Sequence, residues 1–170
     1  LDAIVLTHAH ADHMAGLLSI IPNFRPRELW LPSNVPLEEI KRLLQVANAY
    51  GVQTSFHNAG EVFSYGEALI RVLAPDPAFP VRSGRRNDES LILKISYRKT
   101  SVLLEADLEK GTEKLISREQ PQADVLKVAH HGSASATSDD FLDAAKPRYA
   151  VISVGSRNVY RHPRMEVLQR

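Results

Sequence analysis

Apolar and polar positions along the chain change between two periods. Ala3–Thr7 is a short β-branched and apolar run, which predicts a buried strand. The polar stretch His8–His13 interrupts it, and Met14–Ile21 predicts a short helix stopped by Pro22. Glu28–Leu31 predicts a strand between prolines. Pro36–Tyr50 is the clearest helix: Leu37, Ile40, Leu44 and Ala47 form one apolar stripe, Pro36 suits the first turn and Gly51 the stop. Val52–Phe56, Glu61–Phe63 and Leu69–Leu73 predict strands separated by Gly or Asn turns. Ala74–Asp88, with Pro75, Pro77 and Pro80, predicts one long irregular loop. Ser90–Tyr97 and Ser101–Glu105 predict a hairpin. Beyond it, Glu109–Arg118 predicts a helix, Asp124–Ala129 a buried strand, Ser138–Ala145 a helix, Tyr149–Val154 a strand and Pro163–Arg170 the start of a helix. Strands and helices interleave, with hairpins in the middle. This predicts an α/β domain of mixed sheets covered by helices. No repeat, biased tract or linker divides residues 1–170.

Composition narrows the function classes. Lys and Arg number 21 against 20 Asp and Glu, a net charge of +1, which excludes a strongly basic coat protein and an acidic solvating tail. No stretch approaches the ~20 apolar residues of a membrane span, and no signal-peptide pattern opens the chain. Residue 1 is a leucine leading directly into a strand pattern, so the chain is expected to be an excised piece of a longer one. Cysteine is absent, which removes thiolate metal sites and cysteine nucleophiles. Any metal must then be held by imidazole and carboxylate. Six of the 7 histidines fall into three short clusters.

The densest cluster is His8-Ala9-His10-Ala11-Asp12-His13. His8 and His10, two apart on an extended segment, point the same way and can grip one ion. Asp12 and His13 lie where the chain turns into a helix and can face a second ion. This donor set suits zinc, manganese or iron rather than calcium. Asp107 follows the strand Ser101–Glu105, His130-His131-Gly132-Ser133 follows the strand Asp124–Ala129, and His162 follows the strand Tyr149–Val154. Each cluster therefore sits just after a short buried strand, where loops converge on a rim. Gly132 beside the histidine pair suits a close approach. Arg82, Arg85 and Arg86, on the loop before Asn87, can hold a nucleic-acid backbone or simply be solvated. Lys127 can contact phosphate or face outward. His57, in a Phe56-His57-Asn58 turn far from the clusters, reads as an ordinary surface histidine.

Thr7–His13 resembles the H-x-H-x-D-H signature of the metallo-β-lactamase superfamily. The remainder resembles one branch, the C-terminal domain of ComEC-type DNA-internalisation competence proteins. The matching pieces are Leu6–Gly16, Asn87–Leu91, Leu103–Asp107, Asp124–Ser133 and Ile152–Pro163, in the family's order over nearly the whole chain. The resemblance implies an αββα sandwich of metallo-β-lactamase type, truncated at both ends, with residues 1–170 as a partial hydrolase domain. It implies two divalent metal ions, zinc or manganese. One would take His8, His10 and a histidine of the 130–131 pair, with His131 favoured and His130 left as a substrate or proton-transfer contact. The other would take Asp12, His13 and His162, and Asp107 would bridge the two. The implied reaction is attack of a metal-bridging hydroxide on a DNA phosphodiester during competence, with Asp12, Asp107 and His130 as catalytic residues. Single-stranded DNA is the implied substrate. Its contacts would come from Arg82, Arg85, Arg86, Asn87, Ser133, Asn158 and Tyr160. The implied parent is a membrane channel at the cell membrane, with this domain soluble. Three positions depart from the family pattern: Asn87 replaces a metal histidine, Ala106 replaces the glycine before the bridging Asp, and Arg161 replaces a glycine. Two other readings remain open, a stand-alone hydrolase of a thioester, lactone or small phosphodiester, and a non-catalytic nucleic-acid-binding module.

Overall fold

The computed structural model describes residues 1–78 and 86–170. Strand β1 (Ala3–Val5) leads through the short helix α1 (Ala11–Met14) and helix α2 (Leu17–Phe24) to β2 (Glu28–Pro32), and helix α3 (Leu37–Ala49) leads on to β3 (Gln53–His57). Four strands follow: β4 (Val62–Tyr65), β5 (Ala68–Ala74), β6 (Ile92–Tyr97) and β7 (Thr100–Leu104). Helix α4 (Lys110–Ile116), strand β8 (Val125–Lys127), helix α5 (Asp139–Ala145), strand β9 (Tyr149–Val151) and helix α6 (Met165–Gln169) complete the chain. Strands β1, β2 and β3 form a parallel sheet in that order. The second sheet runs β4-β5-β6-β7-β8-β9, antiparallel as far as β7 and parallel from β7 to β9. Parallel neighbours cannot be joined by tight turns, so each such pair is bridged by a helical crossover.

The side-chain alternation of the strands stacks these elements in four layers. In β2, Leu29 and Leu31 pack outward with Ile21 of α2 and Ile40 and Leu43 of α3. Trp30, between them, points the other way and packs with Val72, Leu91 and Leu93 of the second sheet. On that sheet's far face, Ile92, Leu103 and Leu126 meet Ile116 of α4 and Phe141 and Ala145 of α5. Helices, sheet, sheet, helices is the αββα sandwich that the family resemblance implied. The buried Glu113 of α4 accepts from the Thr137 and Ser138 N–H groups and the Ser138 hydroxyl, which fastens the start of α5 to α4.

Several expectations need correction. Helix α2 does not stop at Pro22 but runs to Phe24. Proline there removes one hydrogen bond of the last turn, while buried Leu17 and Ile21 hold the helix to the sheet and Arg25 N–H closes on Ile21 O at 2.9 Å. In α3 the buried stripe is Ile40, Leu43 and Ala47; Leu37 is 57% exposed, and Leu44 is only partly buried. The α3 axis is rotated from the predicted stripe because Leu43, not Leu44, faces Leu29 and Leu31. His57 is not a surface histidine. It is buried against Trp30 and Phe63, with Nδ1 2.7 Å from Glu61 Oε2 and Nε2 2.7 Å from Ser55 Oγ. Its ring joins β3 of the first sheet to the segment entering β4 of the second.

The orientation of α3 is directly testable by urea denaturation. Leu43→Ala should lose about 2–5 kcal/mol, the range for a buried leucine, whereas Leu37→Ala should change stability by no more than about 0.5 kcal/mol. Equal losses would contradict the observed face.

Candidate metal centre

The chemistry-bearing residues all follow the carboxyl ends of strands. His8, His10, Asp12 and His13 follow β1, Asp107 follows β7, His130 and His131 follow β8, and the loop to His162 follows β9. Parallel strands present these ends on one side, the general location of sites in such sheets. Leu91 N–H donates to Thr7 O at 2.8 Å and ties the two sheets together beside the site. Helix α1 opens with Met14 N–H on His10 O at 2.9 Å, which sets Asp12 and His13 on its first turn. His130 N–H donates to Ala106 O at 3.0 Å, joining the β7 and β8 loops.

Asp12, His13, Asp107 and His131 each bring one ligand atom within 4.8 Å of the others. His131 Nδ1 lies 2.8 Å from Ser153 O. A carbonyl only accepts, so Nδ1 donates to it, and Nε2 is left as a buried nitrogen without a hydrogen-bond partner. That nitrogen faces Asp12 Oδ2 at 3.4 Å and Asp107 Oδ2 at 3.5 Å. An imidazole nitrogen set against two carboxylate oxygens from different loops is a donor set that a divalent cation would satisfy. His13 Nε2 is 3.3 Å from Asp107 Oδ2. Among the described residues, His13 Nε2, Asp107 Oδ1, His130 Nδ1, His131 Nε2 and His162 Nδ1 are buried atoms without a hydrogen-bond partner. Buried polar atoms are ordinarily satisfied. The unpartnered His13 Nε2 and His131 Nε2, gathered with Asp12 and Asp107 in one cluster, fit a divalent transition metal.

The electrostatics agree. Burial alone would raise the Asp107 carboxyl, but the nearby His13, with His131 and His8 behind it, outweighs burial and holds it well below the usual carboxylate range. Burial, helped by His13, lowers His8 to about 3. Burial also lowers His162, with His130 next in effect. Lys127 turns inward: its Nζ donates to Ala106 O at 2.9 Å and lies 3.9 Å from Asp107 Oδ1. The loops are strained. Ala106, His130, His131 and Arg161 have φ of +51°, +46°, +54° and +58°, each costing roughly 1–2 kcal/mol in a residue with a Cβ. Two of these are positions where the family resemblance had glycine. At Gly132 a Cβ would sit 2.7 Å from Pro163 Cβ, so only glycine allows the His131 and His162 loops to touch.

His8 and His10 lie together, His8 Nε2 being 3.1 Å from His10 Nδ1, and His8 reaches Asp107 Oδ2 at 4.0 Å. The resemblance grouped His131 with His8 and His10; the geometry groups it with Asp12 and His13. His162 lies across the pocket, its ring 6.1 Å from that of His130. His130 stands between, with Nε2 4.0 Å from Asp107 Oδ2 and Nδ1 3.8 Å from Glu109 Oε1. The pocket, about 490 Å³, is lined by His10, Asp12, Asp107, His130, His131 and His162 together with Asn87, Asn158 and Tyr160. Ser133 does not line it and instead bonds Ser135 Oγ at 3.0 Å. The Asn158 amide is occupied in shaping its own loop: Nδ2 donates to Gly155 O and His162 O, and Oδ1 accepts from His162 N–H. Arg82 and Arg85 lie outside the described residues, as does the side chain of Arg86. Sequence reasoning missed Glu109, which accepts from Asn87 Nδ2 at 3.0 Å, and Ser153, whose carbonyl orients His131.

Comparison with known proteins adds the following. A family model described as Beta-lactamase superfamily domain matches residues 1–135. The chain is similar to ComE operon protein 3 of Bacillus subtilis (strain 168), at 34% identity over 172 residues, covering 99% of this chain and 22% of that protein. It is similar to Recombination protein 2 of Haemophilus influenzae, at 29% identity over 170 residues, covering 100% of this chain and 20% of that protein. The chain thus spans about a fifth of the length of these relatives. Among solved structures, CmlA, a diiron β-hydroxylase from Streptomyces venezuelae, superposes with a TM-score of 0.57 at 16% identity, covering 88% of this chain and 35% of that one. That likeness is one of fold. No helix among the described residues is long and apolar enough to cross a membrane.

Two outcomes follow for the metal-free and metal-loaded protein. Zinc or manganese should raise the melting temperature, and His131→Asn or Asp107→Asn should abolish the rise; an unchanged melting temperature with both metals would exclude the centre. His8 titrates near 3 when folded and at 6.5 when unfolded, so between these values the unfolded chain binds the extra proton. The metal-free protein should therefore lose stability as the pH falls from 6.5 toward 3, and His8→Asn should flatten that slope in urea titrations.

Proposed function

Because this chain belongs to the beta-lactamase superfamily, we propose that it is a metal-dependent phosphodiesterase acting on single-stranded DNA, working in DNA uptake as part of a longer membrane protein. The observation that carries the reading is the unpartnered His131 Nε2 held between Asp12 and Asp107 at the floor of an open pocket. The names of the relatives, an operon protein of the ComE group and a recombination protein, support DNA as the substrate.

Two divalent ions, zinc or manganese, would be held by His8, His10, Asp12, His13, Asp107, His131 and His162, and when bound would polarise a phosphoryl oxygen and neutralise developing charge. The chain's own residues do the rest. Asp107 stays anionic on the floor of the pocket, 2% exposed, held there by the β7 turn and flanked by Lys127. Ser153 O fixes the His131 tautomer, the role that outer partners play for ligating histidines. His130, with one ring nitrogen toward Asp107 and the other toward Glu109, is placed to hand a proton to the leaving oxygen. Glu109, itself held by Asn87, stands beside that second nitrogen.

The reading requires that a labelled single-stranded oligonucleotide be cut when zinc or manganese is present. Asp107→Ala should reduce cutting about a hundredfold or more, the scale of removing a main electrostatic group, and His130→Ala by about 10²–10⁴-fold. Intact DNA under both metals would reject the reading, and turnover of a thioester or lactone instead would point to the alternative hydrolase.

A further inference from the structure

One wall of the pocket differs from the rest in charge and exposure. The segment from residue 155 to residue 164 carries Arg157, Arg161 and Arg164 and no acidic residue. All three arginines are exposed, and the arginine ion pairs of the described residues involve Arg27, Arg98 and Arg170 instead. At the tip, Val159 and Tyr160 are 86% and 68% exposed. Tyr160 lies flat on His162, with ring centroids 5.7 Å apart and planes inclined by 15°, so its other face is open. Tyr160 and His162 both line the pocket that holds Asp107. The loop is held in shape: Asn158 clamps Gly155 and His162 through three hydrogen bonds, and Arg164 N–H closes on Gly132 O at 2.9 Å. Arg161 keeps φ at +58°, where glycine would be unstrained. Strain retained for a side chain without an internal partner points to something outside the molecule.

We propose that this loop is the strand-holding platform of the site. One unpaired base stacks on the open face of Tyr160, and neighbouring phosphates face Arg157, Arg161 and Arg164. The inference rests on the phosphodiesterase reading for its choice of ligand, but adds the surface that takes the strand and the reason for a single strand. Stacking on a tyrosine needs a base free of its partner. A duplex keeps its bases stacked inside and offers only phosphates. The strand passing over Tyr160 enters the pocket beside His162 and continues toward Asp107.

The test is binding, read separately from cutting. Fluorescence anisotropy of a fluorescein-labelled 15-nucleotide oligothymidylate would be followed with the protein as purified and again after EDTA. Tyr160→Ala should weaken binding about tenfold, within the range for losing one stacked base, and Tyr160→Phe should keep it. Arg161→Gly should weaken binding and lower the slope of log affinity against log salt by about 0.7, one phosphate contact on a single strand, with no loss of melting temperature. A blunt hairpin duplex should bind more weakly, without dependence on Tyr160. Affinities within twofold of the parent in both variants, or a duplex with equal dependence on Tyr160, would overturn the platform. An oligonucleotide bound with these dependences but uncut under zinc and manganese would leave the platform standing and remove the phosphodiesterase reading. Cutting at unchanged KM in Tyr160→Ala and Arg161→Gly would do the reverse.

Discussion

The unpartnered Nε2 of His131, held against the carboxylates of Asp12 and Asp107 at 3.4 and 3.5 Å, is the constraint around which the rest of the molecule is arranged. Those carboxylates come from different sheets, Asp12 after β1 and Asp107 after β7, and the histidine comes after β8. Only a fold that brings the carboxyl ends of both sheets to one side can bring them together. The Trp30 layer between the sheets and the Leu91–Thr7 backbone bond beside the site fix that relation. The packing elsewhere determines where these side chains must be.

The backbone shows the same compromise. Positive φ at Arg25, Gln120 and Lys146 ends helical segments, where the left-handed conformation is an ordinary way to close a helix. Positive φ at Ala106, His130, His131 and Arg161 closes nothing of that kind. These four residues surround the pocket and aim Asp107, the histidine pair and the Tyr160 loop. Positive φ occurs away from the pocket too, at Arg98 and Thr137, but at these four positions it orients the side chains of the site. Gly132 belongs to the same design: its missing Cβ lets Pro163 approach, which brings the His162 loop against the histidine pair.

Much of this was legible in the residues alone. Mixed sheets covered by helices follow from short apolar runs alternating with helical stripes, the αββα order came from the family resemblance, and the position of each His or Asp cluster just after a strand placed them on one rim. What the sequence could not show was which side chains share a partner. Alternation within a strand does not say that His57 is enclosed by Trp30 and Phe63, because those contacts cross from one sheet to the other. Helical periodicity near Leu43 and Leu44 leaves the rotation of α3 open by one residue, and only the β2 leucines decide it. The inward turn of Lys127 depends on Ala106 O, 21 positions away. The grouping of His131 with Asp12 and His13 depends on Ser153 O, which no local pattern announces. Asn158 looked like a substrate contact, yet its amide is spent on its own loop.

The central claim is that the cluster around Asp107 is a metal centre. Anomalous diffraction from crystals grown with zinc or manganese tests it most directly. A peak should stand about 2.0–2.3 Å from the nearest ligand atoms, as is usual for imidazole and carboxylate donors, with His131 Nε2 and an Asp107 oxygen among them. A well-ordered pocket without a peak, with His131 Nε2 protonated and bonded to one of the carboxylates, would contradict it.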